Sequence, residues 1–359
     1  MNIEENKMNI EENKFGLKQF TKEKLKKLEK IPSNLLKLLK SYRGYDDIDN
    51  LIDPNKYYLY TGRGTSNNSF HIGHLLGLKL ILGLQKVFTD KIYFMISDDE
   101  KIFRDNIDEL TMQNNVANTI KQLNKLGFNN LNTNIHINSN GIDKHSYSII
   151  IKIMRILNVD LLNNIFGVKS NIGELFYVAY QIMPCFIDKN KQCIVVAGED
   201  QDPFFRLARD IAHKLKCKPP IVLYTINFPG LDGSNKMSTS VPETIPIFIE
   251  DTPKIIKQKV SKIKQVGAGT LDELFDKGAN LMKDVPFKLI EFLETNSEIL
   301  SLIRIAYTEG LFQKDLDKIS QLLEILPSKG VITRNNKTMI TTYGVRSYLA
   351  NLMITEIQK

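Results

Sequence analysis

Cysteine is scarce in this chain, with three among 359 residues: Cys185, Cys193 and Cys217. They fit no zinc-ligand spacing and leave an odd thiol in any disulfide scheme, which excludes a disulfide scaffold and points to a reducing compartment. Long apolar stretches are missing as well. The one extended run, Leu75 to Leu84, is broken by Lys79 and is too short to span a bilayer. The N-terminus offers no apolar core of the kind a secretory signal carries. A cytoplasmic protein with no membrane segment and no dedicated metal site is therefore expected. There is also no G-x-x-x-x-G-K-[ST], so any nucleotide must be held by other means.

Extremes of composition are absent too. Hydrophobic residues at 42% and charged residues at 25% are ordinary globular values, which excludes disorder throughout. The length allows two domains, each with its own core. A formal charge of +7 suits a polyanionic partner, because each lysine or arginine that neutralises a phosphate releases condensed counterions. Charge alone does not name that partner.

What is present centres on residues 57–88, YYLYTGRGTSNNSFHIGHLLGLKLILGLQKVF. Tyr57 to Tyr60 are β-favouring, Gly62 and Gly64 permit positive φ, and Ser66 to Ser69 are turn and N-cap types before a helical apolar run. A strand, a Gly-rich turn and a helix in succession make an anion site, since the first N–H groups of the helix are unpaired and carry the positive end of its dipole. His71 and His74, one helical turn apart, add donors that can follow phosphate charge. The same pair could also be structural histidines at a helix start, or half of a metal site.

From Tyr57 onward, β-rich runs at 91–97, 133–138, 192–199 and 220–225 alternate with helical patterns near 72–88, 107–126, 145–157 and 203–216. This alternation predicts an α/β, Rossmann-like parallel sheet covered by helices on both faces, with ligands at the carboxyl ends of the strands. The stretch 158–184 between two βα units is a plausible dimer contact. Before the sheet, MNIEENK occurs twice over residues 1–14, and a Lys-rich helix candidate, interrupted by Pro32, runs from Thr21 to Ser41. After Glu250 the chain reads mostly helical, at 254–264, 271–283, 286–295, 297–307, 314–326 and 341–357. The expected division is an N-terminal extension 1–44, a catalytic domain 45–250 and an α-helical domain 251–359.

Three polar clusters follow strands. Ser97-Asp98-Asp99-Glu100-Lys101 ends the second; it could merely charge a helix N-terminus, or Glu100 could bind a substrate ammonium group. Gly198-Glu199-Asp200-Gln201-Asp202-Pro203 ends the fourth, with Pro203 in the first turn of the next helix. Lys236-Met237-Ser238-Thr239-Ser240 lies in a loop begun by Gly230 and Gly233. It is either a flexible surface loop or one that closes over a departing pyrophosphate.

His71-Ile72-Gly73-His74 and Lys236-Met237-Ser238-Thr239-Ser240, in this order with βα units between them, resemble the HIGH and KMSTS signatures of class I aminoacyl-tRNA synthetases. TGRGTSNNSFHIGH, SDDEK, GELFYVAYQIMPCF and EDQDPFFRLARD are similar to stretches of the tryptophanyl enzymes of eukaryotic and archaeal type. The resemblance covers roughly 45–265 well and the helical remainder more loosely. It implies activation of tryptophan with ATP and Mg2+, transfer to tRNA(Trp), a homodimer, and an anticodon-binding role for the helical domain.

The resemblance further implies that His71, His74, Lys236 and Ser238 are catalytic, and that Arg63, Gly64, Gly73, Gly198, Asp202 and Met237 hold ATP. Tyr60, Glu100, Lys101, Gln181 and Gln201 would hold tryptophan, with Tyr60 near the indole and Glu100, Gln181 and Gln201 near the amino group. Thr65 departs from the family's usual proline, Met95 from a glutamine that reads the indole N–H, and Arg304-Ile305-Ala306-Tyr307 lacks a charged pair. The alternatives are a tyrosyl-tRNA synthetase, a non-catalytic synthetase-like RNA-binding protein, and a small-molecule adenylyltransferase, which would not need the helical domain.

Overall fold

Tyr57–Gly64 and Ile92–Ser97 carry almost no outward polar alternation, and such strands are stable only under helices on both faces. The computed structural model, which describes residues 16–47, 53–65, 69–89, 91–100, 108–129, 131–166, 171–238 and 241–358, places them at the centre of a seven-stranded sheet. Its strands are β1 (Lys18–Gln19), β2 (Leu39–Arg43), β3 (Tyr57–Gly64), β4 (Ile92–Ser97), β5 (Thr133–Ile137), β6 (Gln192–Gly198) and β7 (Ile221–Thr225), in the order β1-β2-β7-β6-β3-β4-β5. The five from β7 to β5 are parallel, as expected, while β2 runs antiparallel to β7, and β1 to β2.

The helices are α1 (Lys22–Lys26), α2 (Ser33–Leu36), α3 (Ile72–Phe88), α4 (Glu109–Lys125), α5 (Lys144–Met154), α6 (Val159–Phe166), α7 (Ile172–Ile182) and α8 (Asp202–Ile211). Leu80, Leu84 and Phe88 of α3 are fully buried, as an apolar helix against a sheet requires. On the face that carries α5, α7 and α8, Tyr58, Tyr60, Met95, Ile150, Tyr180 and Phe205 share one core.

The contacts divide the chain into two units, one comprising the residues up to Ser69 and Gly77–Ile226, the other Phe70–Leu76 and Asn227–Lys359. This differs from the expected boundary at 250, and the backbone explains why. Ile72 N donates to Ile247 O at 2.8 Å and Ile249 N to Phe70 O at 3.0 Å, so the HIGH segment and residues 247–249 form one bridge around His71 and Phe248.

The second unit continues with α9 (Pro253–Ser261), α10 (Leu271–Lys277), α11 (Val285–Leu293), α12 (Ser297–Thr308), α13 (Leu316–Ile325) and α14 (Thr342–Gln358). Its buried Asp284 is the pivot of this core. The carboxylate accepts from Gly267 N at 2.7 Å, Phe287 N at 2.6 Å and the Tyr307 hydroxyl at 2.7 Å, which compensates its desolvation.

Three expectations are corrected. The Lys-rich stretch from Thr21 to Ser41, expected as a helix interrupted at Pro32, holds two short helices and ends in a strand. The first helix ends at Lys26, Pro32 is the N-cap of the second, and Leu39–Arg43 pairs with β7, so Lys18–Gln19 and Leu39–Arg43 join the sheet. Gly62 and Gly64 are not in a turn and their φ values are not positive; both lie in β3 paired with Met95 and Ser97. Gly62 is needed for closeness, since a Cβ there would lie 3.1 Å from Met95 O. The C-terminal unit also contains a three-stranded sheet, β8 (Leu311–Phe312), β9 (Val331–Arg334) and β10 (Lys337–Ile340), ordered β8-β10-β9. Its hairpin turns at Asn335 and Asn336, with φ of 51° and 62°, a left-handed pair that Asn-Asn signals more weakly than Asn-Gly. The MNIEENK repeat, Lys101, Thr239 and Ser240 lie outside the described residues.

Candidate active site

In the first unit, β3 leads to β4 and β5 on one side, while β6 and β7 lie on the other, so chain order reverses between β3 and β6. Such a switch point opens a crevice at the carboxyl ends of the strands. The β3–β6 ladder ends at Tyr60↔Val195, whereas β3 stays paired to β4 as far as Gly64↔Ser97.

Tyr60 is fully buried, and burial raises its phenol pKa well above the ordinary value, so it stays neutral. Its hydroxyl donates to Gln181 O at 2.8 Å and lies 3.3 Å from Met95 Sδ. With the proton engaged, the oxygen has only acceptor capacity left, which suits a donor-only N–H. Met95 lies in the middle of β4, with its sulfur beside that hydroxyl.

Gln181 lies in the last turn of α7, and its Oε1 accepts from the Tyr177 hydroxyl at 2.8 Å; the same hydroxyl is 3.4 Å from Glu100 Oε2. A Cβ on Gly64 would lie 3.4 Å from that Glu100 oxygen. Tyr60, Glu100, Gln181 and Gly64 are thus brought together by β3, β4 and α7. Next to Gly64, burial lowers the Arg63 guanidinium to about 10, still cationic at neutral pH.

The GEDQDP cluster divides into two kinds of residue. Glu199 accepts from Lys40 Nζ at 2.6 Å and Ser41 Oγ at 2.8 Å, and Asp202 holds Arg43 through Nε at 2.7 Å and Nη2 at 3.0 Å while also accepting from the Tyr224 hydroxyl. These two carboxylates fasten β2 to the end of β6. Asp202 is therefore bound to protein where a nucleotide contact was expected. Gln201, by contrast, has an Asp200 oxygen 3.3 Å from its Nε2, in a half-exposed turn after Gly198. A Cβ on Gly198 would meet Asp200 Oδ1 at 2.4 Å.

The second unit holds both signatures. His71 precedes α3 and caps it: its Nδ1 accepts from Gly73 N at 3.1 Å. His74 Nδ1 accepts from His71 N at 3.3 Å, and the two rings stack with centroids 3.6 Å apart. With both Nδ1 atoms accepting, the tautomers are set so that each ring carries its proton on Nε2, giving two parallel donors. Phe228 bridges to the loop. A Cβ on Gly73 would lie 2.6 Å from Phe228 Cβ, and Phe228 O accepts from Met237 N at 2.7 Å. Met237 is buried and anchors the loop, whereas Lys236 is exposed. Thr244 Oγ1 accepts from Ser238 N at 3.1 Å and donates to Ser238 O at 2.7 Å, closing the loop base.

Residues 54–309 match the model of the tRNA synthetases class I (W and Y). The chain belongs to this family. Tryptophan--tRNA ligase of Saccharolobus solfataricus is 34% identical over 328 residues, 86% of this chain and 85% of that protein. The cytoplasmic tryptophan--tRNA ligase of Dictyostelium discoideum is 32% identical over 297 residues, 77% and 72% of the two chains. The crystal structure of a tryptophanyl-tRNA synthetase from Encephalitozoon cuniculi bound to tryptophan superposes with a TM-score of 0.72 at 26% identity, covering 98% of this chain and 94% of that one.

Within this synthetase, sequence reasoning passed over three residues that the structure makes central. Tyr177 was visible only as the i−4 neighbour of Gln181. Phe228 and Thr244 left no sequence signal, because what matters is their tertiary contact with Gly73 and Ser238. Among the described residues, no group of three or more His, Cys, Asp or Glu side chains is arranged to hold a metal, and no helix is long and apolar enough to cross a membrane. Cys185, Cys193 and Cys217 are all free thiols.

Proposed function

We propose that this chain activates tryptophan with Mg-ATP to tryptophanyl-adenylate and then moves the tryptophanyl group to the terminal ribose of tRNA(Trp). The observation that carries this reading is the direct packing of Gly73 of the HIGH segment on Phe228, whose carbonyl holds the KMSTS anchor Met237. Against a synthetase-like binder without catalysis stands the intact set His71, His74, Lys236 and Ser238.

In the first step the tryptophan carboxylate attacks the α-phosphorus of ATP in line. The new carboxyl–phosphorus bond forms as the bond to the β-phosphate oxygen breaks, and pyrophosphate leaves. No covalent enzyme intermediate is needed, so positioning and charge stabilisation do most of the work. His71 and His74 offer their Nε2–H groups to the phosphates, and Lys236, exposed on its loop, neutralises the leaving pyrophosphate together with Ser238. Arg63 and the close backbone approach at Gly64 and Gly73 serve the nucleotide, and magnesium travels with ATP as part of the substrate. Glu100 and Gln181 take the amino group, with Gln201, and Tyr60 accepts from the indole N–H. In the second step a ribose hydroxyl of the tRNA attacks the activated carbonyl and AMP leaves.

Lys254, Lys257 and Lys262 are exposed on or just after α9, while Lys259 is bound to Asp251 at 2.6 Å. The three exposed lysines support phosphate contacts with tRNA. Homodimerisation is supported by an exposed apolar stripe on α5, Tyr147, Ile151 and Met154, at helical spacing. The free thiols and the cytoplasmic name of the Dictyostelium relative support a cytoplasmic location. Tryptophan-dependent exchange of pyrophosphate into ATP, with tyrosine as control, tests the reading: exchange with tyrosine alone would make the chain a tyrosyl enzyme, and exchange with neither would make it a binder.

A further inference from the structure

The loop that carries Lys236 begins in a tight turn, where Gly233 N donates to Gly230 O at 3.1 Å and Gly230 N to Ser234 O at 3.0 Å. A glutamine from further along the same unit lies on that turn. Gln265 Nε2 donates to Asp232 O at 2.9 Å, and a Cβ on Gly233, whose φ is 90°, would lie only 2.6 Å from Gln265 Oε1. Close approach and left-handed backbone both call for glycine there.

The backbone around Gln265 is fastened to the core of the helical unit. Gln265 O accepts from Val285 N at 3.2 Å, Gly267 N donates to Asp284 at 2.7 Å, and Arg346 of α14 donates to Ile263 O. Asp284 in turn holds Tyr307 of α12. Gln265 thus stands on the buried pivot of this core and reaches out to the turn. Beyond its hydrogen bond, Asp232 Oδ1 accepts from Ser234 N at 3.1 Å and from Ser234 Oγ at 2.6 Å, just before Lys236.

The Gln265 side chain is exposed, so water could satisfy its amide and the hydrogen bond adds little to overall stability. What the bond fixes is local. The far end of the loop is closed by Thr244 on Ser238, and Met237 is anchored on Phe228 O, whereas the near end meets the helical core through Gln265. A lysine that must meet a departing anion gains rate only if its loop starts from a defined place.

We infer that Gln265 is a positioning residue for the adenylate-forming step: its amide holds the Asp232 turn on the helical core and thereby sets where Lys236 stands. This rests on the proposed tryptophan-activating function. Gln265 touches no reacting atom and acts through Lys236.

The experiment compares full-length wild type, Gln265→Ala, Gln265→Lys and Gln265→Glu in tryptophan-dependent pyrophosphate exchange. Losing one hydrogen bond that positions the loop should lower kcat in Gln265→Ala by about three- to tenfold, with KM for ATP and tryptophan within about twofold and the unfolding midpoint within about 2 °C. Lysine keeps a donor toward Asp232 O and should restore kcat to within about twofold of wild type, while glutamate, which only accepts, should not. In a Lys236→Ala background, Gln265→Ala should cost less than about twofold more, because its effect passes through the missing amine. Amide hydrogen exchange over residues 230–238 reads the positioning without catalysis and should be faster in Gln265→Ala. Unchanged kcat and unchanged protection in Gln265→Ala, or the same loss with and without Lys236, would overturn the inference. A wild type whose loop is protected through Gln265 but which exchanges pyrophosphate with neither tryptophan nor tyrosine would remove the functional reading, and the inference with it, while leaving the contact established.

Discussion

The Cα of Gly73 faces Phe228 so closely that a methyl group on it would lie 2.6 Å from the Phe228 Cβ. Glycine here is a packing requirement between the HIGH segment and the arm that carries the KMSTS loop. Gly73→Ala should therefore lower stability by about 1–3 kcal/mol through overpacking and displace the loop. Thermal unfolding and pyrophosphate exchange measured together check this; a variant with normal stability and normal exchange would show that the arm yields freely.

Lys236 is exposed beside a buried anchor, Met237, which leaves the lysine able to follow a moving anion. Lys236→Ala should slow adenylate formation at least about tenfold, or about 1.4 kcal/mol of barrier, with ground-state ATP affinity changed less. Single-turnover kinetics beside equilibrium ATP binding separate the two. Equal losses in both would assign Lys236 to ground-state binding.

Tyr60 and Met95 form a pair, hydroxyl to sulfur at 3.3 Å. A thioether is at most a weak acceptor, so on the proposed function the indole hydrogen bond falls on Tyr60. Tyr60→Phe should raise the tryptophan dissociation constant severalfold, by about 0.5–1.5 kcal/mol, and also loosen α7, since Gln181 O loses its donor. An N-methylated indole analogue should bind the variant and the wild type with a smaller difference. If it shows the same loss as tryptophan, Tyr60 acts by supporting α7 alone.

Arg43 and Asp202 are both largely buried and joined by two hydrogen bonds. Removing one partner leaves an uncompensated charge, so Arg43→Ala should destabilise the protein by about 3–5 kcal/mol. Asp202→Asn, measured for ATP KM as well as for unfolding, decides between a structural and a nucleotide role. The structural role predicts a lower Tm with KM little changed, and the reverse pattern would restore Asp202 to the nucleotide site.

Burial pushes the Asp99 carboxyl up to about 6, an effect opposed by its hydrogen bond from Asn138 at 2.8 Å. A carboxyl whose pKa is higher in the folded than in the unfolded chain keeps a proton that the unfolded chain has released. Stability attributable to Asp99 is thus complete below about 4, the unfolded value, and is lost as pH rises to about 6. Asp99→Asn should flatten that part of the stability–pH curve, as read from urea unfolding at several pH values. An identical slope in the variant would place the titration elsewhere.

The local sequence determined a good deal. Apolar runs bounded by turn residues marked the parallel strands, and the N-caps at Asp108, Asp143, Thr252 and Asp284 started helices where the side chain could reach an unpaired N–H. The spacing within HIGH brought two imidazoles together at the start of α3, where their rings stack. Other features depended on partners distant in sequence. Leu39–Arg43 became a strand because β7 offered an open edge, against the helical leaning of its Lys-rich surroundings. GEDQDP looked like one ligand cluster, but two of its carboxylates were taken by Lys40, Ser41 and Arg43, roughly 160 residues earlier in the chain. Gly62 read as a turn glycine from sequence, whereas a Cβ there would press on the Met95 carbonyl at 3.1 Å, and a Cβ on Gly73 would lie only 2.6 Å from Phe228 Cβ. Such contacts leave no local pattern, because their energy lies in the steric fit and charge pairing of segments that only the folded chain brings together.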